Sequence, residues 1–124
     1  MRCFMKKLNF IFKNSTEVIY DCEVPYTLSD GFVCFKYDNS DYMFKLDDNL
    51  EFRRRTSESE FKLICRDGLP TCNYFINELN STVDVGVIDF EYKIVDGEYY
   101  IKYTLESDEE NEKSIILRIN RITY

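Results

Sequence analysis

Residues 88–105 read IDFEYKIVDGEYYIKYTL, and this stretch decides the fold. Asp96-Gly97 is a strong signal for a two-residue hairpin loop, because a type I′ turn needs a positive φ angle at both central residues. With that turn as the loop, the register predicts the inward pairs Ile94–Tyr99, Tyr92–Ile101, Phe90–Tyr103 and Ile88–Leu105. The opposite face then pairs Lys93–Tyr100, Glu91–Lys102 and Asp89–Thr104. One apolar face and one polar face predict an antiparallel, half-buried sheet.

The same alternation of apolar and polar residues fills most of the chain on both sides of this hairpin. Turn residues separate the alternating stretches, at Ser29-Asp30-Gly31, Asp38-Asn39-Ser40-Asp41, Asp47-Asp48-Asn49 and Arg66-Asp67-Gly68-Leu69-Pro70. No window has convincing helical periodicity, and at most Tyr74–Leu79 holds a short helical turn. Val85 and Val87 share one parity while Phe90 and Tyr92 share the other, which predicts a bulge or a sharp bend near Gly86.

Short strands with hairpin-length connections predict one all-β domain over residues 1–124, an antiparallel up-and-down meander of roughly eight to ten strands. A meander leaves two exposed edges unless it closes on itself, so we expect a closed or nearly closed barrel. The acidic run 106–112 is expected to form a solvated hairpin tip. It leads into a last strand with Ile115, Leu117 and Ile119 on one face.

A family resemblance rests on the segment from Ile64 to Ile119. Its features are the turn Arg66-Asp67-Gly68, the strand Cys72-Asn73-Tyr74, the Val-rich strand 83–87 and the tyrosine hairpin. This segment resembles the YwiB-like family of small bacterial proteins of unknown function, which are similar to calycins, the lipocalin-like barrels. The first half matches more loosely, through residues 32–37. The resemblance implies a calycin-like barrel in a bacterial cytosol, and it carries no catalytic motif.

The chain is acidic, with 16 Lys and Arg against 23 Asp and Glu and a net charge of −7. Such a domain repels phosphate backbones and anionic membrane surfaces, so neither nucleic acid nor membrane is an expected partner. No apolar stretch reaches the length of a membrane span, and no signal-type run follows the basic N-terminus. We therefore expect a cytoplasmic protein.

Cysteine and histidine usage argues against metal sites and common catalytic groups. The five cysteines are Cys3, Cys22, Cys34, Cys65 and Cys72, and no pair has C-x-x-C spacing. They are expected to be reduced core or surface thiols. The chain has no His, which removes the commonest general base and metal ligand, and it has no phosphate-binding loop. We expect no cofactor, no metal and no enzymatic activity.

Two groups of side chains are candidate binding residues. The first consists of tyrosines with inward parity: Tyr20, Tyr42, Tyr74, Tyr92, Tyr99 and Tyr103. Their hydroxyls need partners and predict a partly polar cavity for a small ligand, unless the rings only pack in the core. The second is the anion-binding candidate Arg53-Arg54-Arg55, because arginine forks suit anionic groups. The alternative is a hairpin end with Arg53 outward, the other two solvated, and local pairing to Glu58 or Glu60.

These features leave two functional hypotheses. The first is a non-enzymatic barrel that binds a small, partly apolar ligand in its interior. The second is a protein-interaction module or homodimer with a solid core and an active outer surface. Outward apolar residues motivate the second hypothesis, namely Ile11, Ile19, Ile64, Phe75 and Tyr100.

Overall fold

The computed structural model describes residues 6–120, and every regular element within that range is a β-strand. The strands are β1 (Lys7–Asn14), β2 (Glu17–Pro25), β3 (Thr27–Ser29), β4 (Phe32–Tyr37), β5 (Ser40–Leu46), β6 (Leu50–Arg55), β7 (Ser59–Arg66), β8 (Leu69–Ile76), β9 (Ser81–Val85), β10 (Val87–Val95), β11 (Glu98–Leu105) and β12 (Asp108–Asn120). The all-β prediction is confirmed. The helical turn considered for residues 74–79 is wrong, because β8 extends through Ile76.

The thiol of Cys3 and the first five residues of the basic N-terminal segment lie outside the described residues. Between Lys6 and Asn120, no helix is long and apolar enough to cross a membrane.

The strands form two antiparallel sheets. One has the meander order β3-β4-β5-β6-β7-β8-β9, and the other has the order β10-β11-β12-β1-β2, in which the last strand pairs with the first. Two connections pass from one sheet to the other without reversing the chain. β2 continues into β3 past Tyr26, and β9 continues into β10 past Gly86. Because two long strands are broken at these corners, the described chain has more strands than the sequence predicts. Neither sheet closes on itself within residues 6–120, so closure into a barrel stays a prediction.

The hairpin β10–β11 has the predicted turn and nearly the predicted register. Asp96 and Gly97 have φ angles of 50° and 79°, as a type I′ turn requires. The register of six of the seven predicted pairs is confirmed, from Ile94–Tyr99 to Asp89–Thr104. The prediction that Ile94 faces the core is wrong, because this side chain is 49% exposed. The pair Ile88–Leu105 is wrong, because a bulge between Val87 and Asp89 places Val87 opposite Leu105.

That bulge performs the change of face that the sequence predicts near Gly86. Val85 and Val87 pack against the core, and so do Phe90 and Tyr92 beyond the bulge. Ile88 is the extra residue and is 47% exposed. The chain bends at Gly86, whose carbonyl accepts a hydrogen bond of 2.9 Å from the Glu106 amide.

Aspartate begins four two-residue turns of the same kind. Asp30-Gly31, Asp38-Asn39, Asp67-Gly68 and Asp96-Gly97 each have positive φ at both residues. Asp and Asn tolerate this region better than other non-glycine residues, so the sequence marks these turns by composition.

The acidic run is part of a strand rather than a long hairpin tip. Only Glu106 and Ser107 form the turn, because Leu105 already pairs with Asp108. The register then shifts, and Tyr103 pairs with Lys113. The expected solvation is confirmed, since residues 106, 107, 109, 110 and 112 are exposed, but a tip that extends through residue 112 is wrong.

The core lies between the two sheets and draws on both. Phe10, Ile101 and Leu117 of one sheet and Phe44 and Phe52 of the other are at most 1% exposed. The rings of Phe44 and Phe52 stack at 4.6 Å between centroids. Burial of each such side chain contributes about 1.5–3 kcal/mol. The predicted inward set of β12 is confirmed, since Ile115 and Leu117 are buried and Ile119 packs against them.

Turns of the meander alternate between two ends of the molecule. At each end, a tyrosine hydroxyl of one sheet donates a hydrogen bond to a turn of the other sheet. The Tyr20 hydroxyl donates a 2.9 Å hydrogen bond to Asp38 Oδ2. The Tyr92 hydroxyl donates a 2.9 Å hydrogen bond to the carbonyl oxygen of Asp47. We name the two ends the Asp38 end and the Asp47 end after these acceptors.

Candidate functional site

Inward-facing residues differ in chemistry between the two ends of the core. Near the Asp47 end they are apolar and buried, as Leu8, Val24, Val33, Leu50 and Leu117 are. Toward the Asp38 end the inward positions carry Asn14, Tyr42, Arg54, Tyr74, Tyr103 and Lys113. Four of these polar residues, Asn14, Arg54, Tyr74 and Lys113, are partly exposed to solvent. The polar end of the core is therefore the place where a ligand would find hydrogen-bond partners.

The candidate tyrosines face the core as the alternation predicts, but they do not form one site. Tyr42 and Tyr103 are 3% and 6% exposed, and the other four pack against the core cluster. Tyr20, Tyr42, Tyr74 and Tyr103 lie toward the Asp38 end. Tyr92 lies toward the Asp47 end, where its hydroxyl bonds to Asp47, and Tyr99 lies nearby on β11.

Arg54 faces the interior among three of these tyrosines. It follows Leu50 and Phe52 at alternate positions on β6, and its cross-strand partners are Tyr42 and Phe61. The guanidinium carbon lies 5.8 Å from the Phe61 ring centroid. Its Nε is buried and has no hydrogen-bond partner among residues 6–120. We call Tyr42, Arg54, Tyr74 and Tyr103 the Arg54 cluster.

The neighbouring arginines point outward and are paired. Arg53 Nε donates a 2.6 Å hydrogen bond to Glu51, and Arg53 also lies 3.8 Å from a Glu60 oxygen. Arg55 lies 3.4 Å from the other Glu60 oxygen. The pairing to Glu60 is confirmed, and Arg55 is solvated as the hairpin-end alternative expects. Arg54 instead turns toward the core and is only partly exposed. The three arginines thus do not converge on one anion.

Burial and the charge of Arg54 together determine the pKa values of the tyrosine hydroxyls in the cluster. Burial raises the pKa of Tyr42 and of Tyr103, and the nearby Arg54 charge opposes that rise in both. Burial also raises the pKa of Tyr74, with the Cys72 thiol adding to the rise and Arg54 opposing it. The phenols stay protonated at neutral pH. The cluster therefore offers a guanidinium and three hydroxyls, a set rich in hydrogen-bond donors.

A surface cleft of about 490 Å³ lies at the corner between β2 and β3, and of the Arg54 cluster its lining includes Tyr42 alone. Its lining includes Tyr26 of the corner and two residues of the core, Phe35 and Tyr42. Lys36 and Arg55 also line this cleft. The volume falls in the range of small-molecule pockets.

The described residues show no arrangement of side chains that suits metal binding or thiol chemistry. In the part of the chain that the structure describes, no three His, Cys, Asp or Glu residues are grouped to hold a metal ion. Cys22, Cys34, Cys65 and Cys72 are free thiols. Burial raises the pKa of Cys72 to about 12, which makes this thiol a poor nucleophile.

The outward apolar residues are less exposed than the sequence suggests. Ile11 is only 7% exposed, between its cross-strand neighbours Ile116 and Asp21, so its expected exposure is wrong. Ile64, Phe75 and Tyr100 are partly buried, and Ile19 remains exposed.

Arg54 could have been found from the sequence, while its environment could not. Leu50, Phe52 and Arg54 share one parity, and the first two are apolar. Asn14 and Lys113 likewise share parity with Phe12 and Ile115. Parity gives direction, but only the pairing of the strands shows which inward residues lie together.

Comparison with known proteins adds no assignment: no protein-family model matches the chain, and no curated protein matches its sequence. The fold and the cluster define a small antiparallel meander protein with a donor-rich group of side chains at one end of its core.

Proposed function

We propose that this protein binds a small, partly apolar carboxylate without transforming it, and that Arg54 holds the carboxylate. The observation that carries the proposal is the inward Arg54, whose charge has no carboxylate partner and whose Nε has no hydrogen bond within residues 6–120. Removing a charge from water costs several kcal/mol unless a partner compensates it. Arg53 and Arg55 have glutamate partners, whereas no salt bridge joins Arg54 to a carboxylate of residues 6–120.

A carboxylate ligand would satisfy this charge and the hydroxyls around it. Arginine binds carboxylates in a forked geometry, and charge-assisted hydrogen bonds are stronger than neutral ones. Tyr42, Tyr74 and Tyr103 supply neutral donors beside it, while Phe61 and the tyrosine rings supply apolar contact. The cleft whose lining includes Tyr42 is the proposed route of access, and the charges of Lys36 and Arg55 beside it are offset by Asp41 and Glu60.

The proposal includes a calycin-like barrel and membership of the YwiB-like family. Tyr20 and Tyr92 bridge the sheets at opposite ends, which supports closure of the meander through side chains. The free thiols support a reducing, cytoplasmic compartment.

Binding of phenylpropanoate tests the function, with phenylpropanol as the uncharged control. Isothermal titration is made on the wild type, Arg54→Met and Arg55→Met. We expect the wild type and Arg55→Met to bind the acid and to discriminate against the alcohol about tenfold or more, since a charge-assisted bond contributes about 1.5–3 kcal/mol. Arg54→Met should lose that discrimination. Equal binding of the acid by all three proteins would overturn the role of Arg54.

The alternative of a homodimer is favoured by one edge strand. β10 is the edge of its sheet and carries three exposed apolar residues, Ile88, Ile94 and Val95. Exposed apolar edges promote strand pairing between chains. A sedimentation experiment that gives a dimer for the wild type and a monomer for Val95→Lys would support this function.

A further inference from the structure

We propose that a linear aliphatic polyamine binds in an acidic cleft formed by the β1–β2 turn and by β10, β11 and β12. This cleft has a volume of about 620 Å³, and no residue of the Arg54 cluster lines it. Its walls come from the β1–β2 turn, the bulge of β10 and the first half of β12. We call it the acidic cleft, and it is a second site beside the proposed carboxylate site.

The lining of the acidic cleft carries four carboxylates and no cationic side chain. The carboxylates are Asp89, Glu109, Glu110 and Glu112, and all four residues are exposed. Within residues 6–120 none of them forms a salt bridge, because the nearby Lys93 and Lys113 pair with Glu91 and Asp108 instead. Like charges held close together repel one another, and a bound polycation would relieve that repulsion.

A buried hydroxyl in the lining of the cleft points to a ligand independently of the charge. Thr104 lies on the outer face of β11, since its neighbours Tyr103 and Leu105 belong to the core. Thr104 is nevertheless only 7% exposed, and it lines the cleft.

The neighbouring polar side chains bond elsewhere. Ser15 donates to Asn111, while Asn111 and Lys113 donate to Asp108. Within the described chain the Thr104 hydroxyl is left without a partner. It can accept a hydrogen bond from an ammonium group that enters the cleft.

The spacing of the carboxylates suits a long cation rather than a single metal ion. Between residues 6 and 120 no three acidic side chains converge as metal ligands. A second cavity of about 300 Å³ shares Asp89 and Glu112 with the acidic cleft. Its further lining includes Glu91, Lys102 and Tyr103. The depression is therefore elongated, and its negative charges are spread along it.

An apolar side chain among the carboxylates accounts for the aliphatic part of the ligand. Ile88, the extra residue of the bulge, is 47% exposed and lines the acidic cleft. A polyamine alternates ammonium groups with short methylene chains. Its methylenes can cover Ile88 while its ammonium groups contact the carboxylates and Thr104, and covering apolar surface is favourable.

Isothermal titration with spermidine in low-salt buffer tests the proposal. Glu110→Gln/Glu112→Gln should weaken binding about tenfold, since each exposed ion pair contributes roughly threefold to fivefold. Asp48→Asn/Asp96→Asn removes the same charge from exposed turns at the Asp47 end and should keep the affinity within about twofold. Thr104→Val keeps the shape of the side chain, removes the hydroxyl and should weaken binding about fivefold.

Magnesium ion and trilysine serve as comparison ligands in the same titration. Spermidine should bind about tenfold more tightly than magnesium, because its charges are spread as the carboxylates are. Equal losses in the two double variants would show that only net charge matters, and they would overturn the proposal. Magnesium binding as tight as that of spermidine would also overturn it. Binding of trilysine without binding of spermidine would do the same and would assign the cleft to a basic protein segment.

Discussion

The Tyr20 hydroxyl donates a hydrogen bond of 2.9 Å to Asp38 Oδ2 and joins β2 of one sheet to the β4–β5 turn of the other. The Tyr20 ring also meets the Tyr37 ring edge-on, at 4.8 Å between centroids. Within the described chain no backbone ladder joins β2 to β4. Side chains therefore bridge the sheets at this corner, as Tyr92 and Asp47 do at the other end.

The bond between Tyr20 and Asp38 should contribute about 1 kcal/mol to the free energy of unfolding. Tyr20→Phe removes the donor. Asp38→Gly removes the acceptor oxygen and keeps the positive φ angle of 50°, which glycine tolerates. A double-mutant cycle by urea denaturation measures the coupling between the two residues. Additive effects of the two substitutions would mean that the bond contributes nothing.

Alkaline pH should remove the contribution of Tyr20. The hydrogen bond to Asp38, followed by burial, raises the pKa of Tyr20 from 10.0 to about 12. A raised pKa stabilises the fold below the unfolded-state pKa, and this stabilisation is lost as pH rises through the folded-state value. The stability difference between wild type and Tyr20→Phe should thus be constant below pH 10.0 and shrink toward pH 12. Denaturation series across this range measure it, and a difference that grows with pH would contradict the assignment.

The hairpin loop should tolerate some substitutions and resist others. Gly97 has a φ angle of 79°, so Gly97→Ala should cost about 1–2 kcal/mol. Asp96→Asn should change stability by less than about 0.5 kcal/mol, because asparagine suits the same turn. Thermal unfolding compares the two variants. An equal effect of both would show that the turn geometry is not what limits stability.

The stacked pair Phe44 and Phe52 should carry a large share of the core stability. Phe52 is 1% exposed, so Phe52→Ala should cost about 3–5 kcal/mol through lost burial and a cavity. Phe32 is a matched control, since it is partly exposed on the outer face beside Lys45 and Arg53. Phe32→Ala should cost about 1 kcal/mol. Denaturant unfolding of both variants measures these values.

Local rules predict much of this fold and less of its site. The turn at Asp96-Gly97 and the alternation around it set the register of β10 and β11, because both depend on neighbouring residues alone. The bulge at Ile88 changes one pair, and its position depends on how β10 leaves the corner at Gly86. Arg54 has inward parity in the sequence. Its lack of an acidic partner depends on strands distant in the chain, and no local pattern encodes that.

Arg54 gives the last prediction, which concerns stability without ligand. If Arg54 is kept for binding, its inward charge without a carboxylate partner destabilises the free protein, and Arg54→Met should raise the free energy of unfolding by about 1–3 kcal/mol. Arg55 is the next residue along the chain and is exposed. Arg55→Met should therefore change the free energy of unfolding by less than about 0.5 kcal/mol. Urea denaturation in ligand-free buffer measures both variants. If Arg54→Met instead loses stability, the contact of Arg54 with Phe61 stabilises the fold. That result would contradict the view that Arg54 is kept for ligand binding.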